Sequence, residues 1–373
     1  MVELTARERI LAALNHRLGG RLTWAPYFRT WWEAHQNAGE VPALFHGAST
    51  YLEAFRPLGL DILDKGAPAV RTVYHDVTVL EEDLGGGSVK TRYITPVGEV
   101  HATQVVTSAY DHTAYKTSYE FSSMADYPVI KYLYEHAEFE PNYTEYVEKQ
   151  RSIGDAGQYM SEVPDTPLHR IFVHLMGYER ACYALADFPA EMGVLLDLIL
   201  EKHLEACRLA MASPAPVIHT PDNTNADFET PALFRRHALP YLKKVSDLCH
   251  DHGKTHVAHM CGKLKALLPL IAQADLDGIE SLTPPPFADT YLWEARQALP
   301  GVCLIGGVSP HLLVGDWQRS ETEGYLLDLF RRMAPGDNWI LAVSDDTPCD
   351  AEITRFLWVT DLIARFGKLP LRV

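Results

Sequence analysis

Along the chain the spacing of apolar residues changes period, and each change predicts a different element. Thr5 and Glu8 form a capping box, and Ile10, Leu11 and Leu14 then share one face. The first segment is therefore an amphipathic helix, ending near Gly19-Gly20 and packing outside or beneath the main core. From Val77 to Val106 the period becomes two, in β-branched runs broken by Gly85-Gly86-Gly87 and Pro96-Val97-Gly98. That stretch reads as a small antiparallel meander inserted into a larger scaffold. From about Pro164 onward, amphipathic helical segments alternate with short apolar runs that end in polar residues: "APVIHTPDN", "KTHVAHMCG", "LDGIESLTPPP", "GVCLIGGVSP" and "NWILAVSDDTP".

Apolar runs separated by helices such as "LFRRHALPYLKKVSDLCHDHG" imply βα units and a parallel sheet. No Gly-x-Gly-x-x-Gly follows any of the runs, so the pattern favours a (β/α)8 TIM barrel over a dinucleotide-binding sheet. The fold class is thus α/β, a barrel with an N-terminal helical extension and a small antiparallel β insertion. With no linker or 20–50-residue repeat, residues 1–373 read as a single domain. Chemistry in a barrel gathers where strands end. His219, Asp222, Asn223, His259, Cys261, Glu280, Asp345 and Asp346 all fall at or just after those ends.

His259-Met260-Cys261 is the most informative spacing. On a strand, residues two apart face the same way, so a nitrogen and a sulfur donor converge, a set that suits zinc above magnesium or calcium. Neighbouring strand ends share one mouth, which brings Glu280 and, from the loop after the last run, Cys349 within reach. His259, Cys261 and Cys349 form a three-ligand site, with Glu280 as a displaceable fourth ligand and catalytic group. Each residue also has a plainer reading. Cys261 alone is core filling, and Glu280 alone caps the mouth or pairs with a lysine. His219, Asp222 and Asn223 are either substrate contacts or loop formers; Asp345 and Asp346 orient a ligand histidine or cap the next helix. Trp24, Tyr27, Phe28, Trp31 and Trp32 are either core packing or a wall stacking on a planar ligand.

Composition excludes some partners. The net charge is −16 with no Lys/Arg block, a surface that repels phosphate backbones and anionic lipid. Nucleic acid and membranes are therefore not expected as partners. Six scattered cysteines, no apolar leader and no long apolar stretch point to a cytoplasmic protein with free thiols.

"TARERILAALNH", "LMGYERACYALADFP", "PYLKKVSDLCHDHGK", "LDGIESLTPPP" and "LIGGVSP" together resemble the uroporphyrinogen decarboxylase superfamily. Its decarboxylase branch carries an "RQAGRY"-type segment after the first strand; here "TWAPYFRTWWEAHQN" has one arginine, Arg29. The other branch, zinc-dependent corrinoid methyltransferases of the methylcobalamin:coenzyme M type, uses His-x-Cys and a distant Cys, matched by His259, Cys261 and Cys349. The resemblance implies Zn2+ as cofactor, Glu280 beside it, and a methyl group moved between a corrinoid (methylcobalamin) and a thiol or other small acceptor. Tyr27, Arg29 and Asp345 join His219, Asp222 and Asn223 as expected substrate contacts. The sequence has no Asp-x-His-x-x-Gly corrinoid-ligand motif, so a corrinoid protein or free corrinoid is the expected partner. The alternatives are demethylation of a small methylated substrate onto a corrinoid protein, and a metal-free decarboxylase or lyase.

Overall fold

The computed structural model describes residues 3–48, 50–106 and 114–372. Eight parallel strands build the scaffold: β1 (Thr23–Trp24), β2 (Ile62–Pro68), β3 (Gly157–Glu162), β4 (Val217–Thr220), β5 (Thr255–His259), β6 (Gly278–Leu282), β7 (Cys303–Val308) and β8 (Trp339–Val343), numbered here as the barrel strands. They pair in sequence from β2 through β8 and back to β1. Between β1 and β2 the join is the Asp61 amide donating to the Trp24 carbonyl at 2.8 Å, which completes the (β/α)8 barrel. Each of the five apolar runs singled out in the sequence is one of these strands, because uninterrupted apolar stretches are what a sheet buried on both faces requires.

Alternation along the strands sets up two layers inside the barrel. Leu63, Met160, Val217, Val257, Cys303 and Ile305 pack together in its interior, and helix α1 (Ala6–Leu14) inserts Ile10, Ala13 and Leu14 into the same cluster. The N-terminal helix is thus a plug beneath the barrel. It ends at Leu14 rather than near Gly19-Gly20, with Asn15 as its C-cap. Two positions after an interior apolar residue or glycine, several strands carry an ionisable one: Leu63/Lys65, Met160/Glu162, Val217/His219, Val257/His259 and Gly278/Glu280. Side chains two apart share a face, so the apolar layer below is continued by a charged layer above.

The insertion is larger than the alternating stretch implied. Thr78–Gly85, Ser88–Thr95 and Gly98–Val106 form the meander, and Ala114–Ser118 adds a fourth strand. Val70–Tyr74 pairs with Ala137–Pro141 in a separate antiparallel ribbon at its root. Trp24, Phe28, Trp31 and Trp32 are at most 2% exposed, and Phe28 stacks on Trp31 with ring centroids 4.8 Å apart. Of the two readings of the cluster, core packing holds for those four, and Tyr27 is the member that borders the cavity beside Lys65 and Glu280. No helix among the described residues is long and apolar enough to cross a membrane.

Candidate metal centre and active-site cleft

Glu280 is the hub of the charged layer. Its Oε1 is ion-paired to the Lys65 ammonium and lies 2.6 Å from His259 Nδ1 and 3.0 Å from His219 Nε2; its Oε2 accepts from Ser281 Oγ at 2.6 Å. Burial alone would raise the carboxyl's pKa, but His259, Lys65 and His219 outweigh it and hold Glu280 well below the usual carboxylate range. His219 also has Glu162 Oε1 3.3 Å from its Nδ1. Burial works against its charged form, and the two carboxylates reverse that and raise its pKa. The lysine-pairing reading of Glu280 is the arrangement observed.

Backbone irregularities place this hub. The β2–β3 register shifts between Asp64 and Ala67, and the β6–β7 register shifts between Glu280 and Leu282, so a bulge sits beside each partner of the Lys65–Glu280 pair. Ser281 (φ 69°) and Asp345 (φ 82°) occupy the left-handed region, which costs a non-glycine residue on the order of 1–3 kcal/mol. Bulges and such strain recur where a side chain must be re-aimed at a site.

Beyond the hub lies a second donor group. His259, Cys261 and Asp345 each bring one ligand atom to within 4.8 Å of the others. His259 Nδ1 faces Glu280 Oε1 at 2.6 Å and the Lys65 ammonium at 3.1 Å, which leaves Nε2, 3.8 Å from Asp345 Oδ1, as the ring nitrogen turned toward the second group. Cys261 lies just past the end of β5, half-buried, its thiol directed at Asn223 Oδ1 at 3.7 Å. Burial, then Asp345 and Glu280, push this thiol up to about 12, so only a bound cation makes it a thiolate at neutral pH. A nitrogen, a sulfur and a carboxylate oxygen at a strained loop are a donor set that fits zinc, one short of the four a tetrahedral ion takes. Cys349, half-buried in the loop after β8, belongs to none of the close donor groups among the described residues. His219, His259 and Glu280 also converge within 4.8 Å, but the Lys65 ammonium already supplies that group's positive charge.

The other expected contacts fall into two classes. His219 and Asn223 line a cleft of about 320 Å3 at the mouth together with Lys65, Glu162, His169, His174 and His259. Tyr27 and Asp345 border a small cavity at the barrel's heart beside Lys65 and Glu280. Asp222 is fully buried and accepts from the Thr166 amide at 2.9 Å, which makes it a support for the neighbouring loop. Arg29 is drawn inward: its guanidinium bonds Tyr27 Oη and the Lys65 carbonyl and faces Asp64 Oδ1 at 3.9 Å.

Lys65, Glu162, His169 and His174 were missed from the sequence. For Lys65 and Glu162 a usable signal existed, an ionisable residue two positions after an interior apolar one on a strand. His169 and His174 lie on a π-helical turn, Arg170–Leu175 and the residue before it, which brings residues five apart side by side and has no sequence signature of its own.

With this geometry in view, residues 170–366, more than half of the chain, match the family model described as "Uroporphyrinogen decarboxylase (URO-D)". The chain belongs to the uroporphyrinogen decarboxylase family. Among solved structures, a methyltransferase from Methanosarcina mazei aligns with a TM-score of 0.60 at 12% identity, over 98% of this chain and 99% of that one. At that identity the likeness confirms the barrel of this uroporphyrinogen decarboxylase family member, end to end. A search of curated proteins finds no match.

Proposed function

We propose that this protein is a zinc-dependent methyltransferase that moves a methyl group between a corrinoid and a thiol or another small acceptor. The observation that carries the reading is the His259–Cys261–Asp345 donor group with Glu280 on the other ring nitrogen of His259. Zinc would be held by His259 Nε2 and Cys261, with Asp345 and, from the same loop, Cys349 as further ligands. A bound zinc supplies the positive charge that keeps a thiol ionised and nucleophilic near neutral pH. The chain's own residues do the rest. Glu280 orients His259, and the bulge at Lys65 fixes an ammonium that holds Glu280 in place. Asn223 positions Cys261, and the apolar layer below keeps water out of the barrel. The overall likeness to a protein named as a methyltransferase supports this reading. The corrinoid would arrive on a partner protein or free, and demethylation of a small substrate onto a corrinoid protein uses the same site in reverse.

Metal analysis of protein never exposed to chelator tests this first. About one zinc per chain is expected, as for a mononuclear site, together with thiol-dependent loss of the cobalt–carbon absorbance of methylcobalamin. Metal-free protein that is inert in that assay would overturn the reading in favour of a lyase. Such a lyase has Lys65 as its mouth cation, since Arg29 is engaged inward.

The donor loop is also sensitive to packing. A Cβ on Gly262 would lie 2.5 Å from both Asn225 Cβ and the Thr224 carbonyl oxygen. Gly262→Ala must therefore displace the 222–225 loop or Cys261 itself. Zinc affinity, read by competition with a chromophoric chelator, is expected to fall about 10- to 100-fold, the range for disturbed metal surroundings. Unchanged affinity would show that metal binding does not depend on the packing of the 222–225 loop against Cys261.

A further inference from the structure

A second chamber, of about 210 Å3, lies between the insertion and the barrel. Tyr74 from the ribbon, Tyr93 from the meander and Tyr134 from helix Tyr127–Glu135 wall it, with Arg170 and the aliphatic Ile130 and Leu133. Tyr74 and Tyr93 meet edge to face, centroids 6.1 Å apart. None of the three phenol hydroxyls has a hydrogen-bond partner among the described residues, and Arg170 Nε is buried without one. The other charges of the chamber are already matched. Lys116 Nζ donates to both oxygens of Glu120, at 2.6 and 2.7 Å, and to the His174 carbonyl at 2.7 Å. Asp165 Oδ1 is ion-paired to one Nη of Arg170 at 2.5 Å, while Arg170 Nε and Asp165 Oδ1 are both without a hydrogen-bond partner among the described residues.

These features define a ligand class. Aromatic and aliphatic walls suit a flat ring. Three hydroxyl donors and a guanidinium with an unused N–H call for an oxygen-rich acceptor, for which a carboxylate is the strongest partner. A cavity of roughly 150 Å3 accepts benzene, so 210 Å3 takes one ring with a small polar substituent. We propose that this chamber binds a small aromatic carboxylate, its ring among Tyr74, Tyr93 and Tyr134 and its carboxylate on Arg170 and the phenol hydroxyls. Burial raises the pKa of all three tyrosines, so they remain O–H donors.

His174 lines both this chamber and the mouth cleft that contains His259. A ring anchored here carries its far substituent toward the cleft, so the chamber selects the non-reacting part of the substrate. That last step rests on the proposed methyl transfer; the binding itself does not.

Isothermal titration of the full-length protein with 4-hydroxybenzoate and with 4-hydroxybenzyl alcohol, in the absence of corrinoid, tests the proposal. The acid is expected to bind at least about tenfold more tightly than the alcohol, since hydrogen bonds to a charged group exceed neutral ones. Tyr93→Phe combined with Tyr134→Phe removes hydroxyls that hold nothing in the fold and is expected to weaken the acid on the order of tenfold. Arg170→Gln is expected to abolish the preference for the acid. Equal affinities, binding of neither probe, or an acid affinity unmoved in the double tyrosine variant would overturn it. A failed methyl-transfer assay would leave these titrations standing, and failed titrations would leave the zinc site standing.

Discussion

Cys261→Ala is expected to empty the metal site and to lower methyl transfer on the order of 1,000-fold, since a catalytic metal contributes several kcal/mol and each 1.4 kcal/mol is a factor of ten. The fold should survive. Cys261 stands past the end of β5, half-buried, and its side chain's hydrogen bond is the long one to Asn223. Elemental analysis and circular dichroism on the same sample separate the two effects: zinc lost with an unchanged spectrum is the expected pair. Full zinc occupancy in the variant would remove Cys261 from the ligand set and with it the basis of the proposed chemistry. His259→Ala should behave alike in metal content but cost stability as well, because it strips a partner from Glu280.

The larger effect on stability is expected at Glu280 itself. Glu280→Ala leaves the Lys65 ammonium without its carboxylate inside the barrel mouth and deprives His219 and His259 of their shared acceptor. Breaking a buried pair on one side typically costs about 3–5 kcal/mol, and a loss of that order should appear as a lowered urea midpoint. Removing both charges, with Glu280→Met and Lys65→Met together, should recover much of it, since no uncompensated ion is then left behind. The pH dependence has a definite sign. The carboxyl's pKa is depressed in the folded protein, so its stabilisation is complete above its unfolded value near 4.5 and is lost as pH falls through the folded one. Acid titration of unfolding should therefore show a decline in the wild type that is reduced in the double variant. A single variant as stable as the wild type would mean that Lys65 finds another anion, with Asp346 and Asp345 the next charges after Glu280 that act on it.

How far the sequence foretold this can be judged residue by residue. The barrel was legible because doubly buried strands must be apolar throughout, and the five runs after Pro164 are. His259 and Cys261 were legible because side chains two apart on an extended backbone share a face, and that survives although β5 ends at His259. The partnership of Glu280 with Lys65 was not. Lys65 lies in β2 and Glu280 in β6, and only closure of the barrel across 215 positions brings them together. The burial of Trp24, Phe28, Trp31 and Trp32 was open for a related reason: their large surfaces suit a core or a ligand equally, and the packing of Phe45, Phe55 and Phe356 against them decides it. Asp345 approaches His259 because its left-handed backbone turns the loop after β8 toward the mouth, a local conformation that its residue type tolerates without announcing it.

The β1–β2 join gives the barrel a seam. β1 is two residues long, and among the described residues one amide–carbonyl bond, Asp61 to Trp24, ties it to β2, whereas the β7–β8 join runs over five residue pairs. Local opening concentrates where the fewest backbone bonds must break together. Tyr27 follows β1 and Lys65 lies in β2, on opposite sides of that seam, with the Lys65 ammonium 5.3 Å from the centre of the Tyr27 ring. Arg29 spans the seam there, its guanidinium bonded to both Tyr27 Oη and the Lys65 carbonyl. The least-stitched edge of the cylinder is therefore held by a side-chain clasp as much as by its backbone.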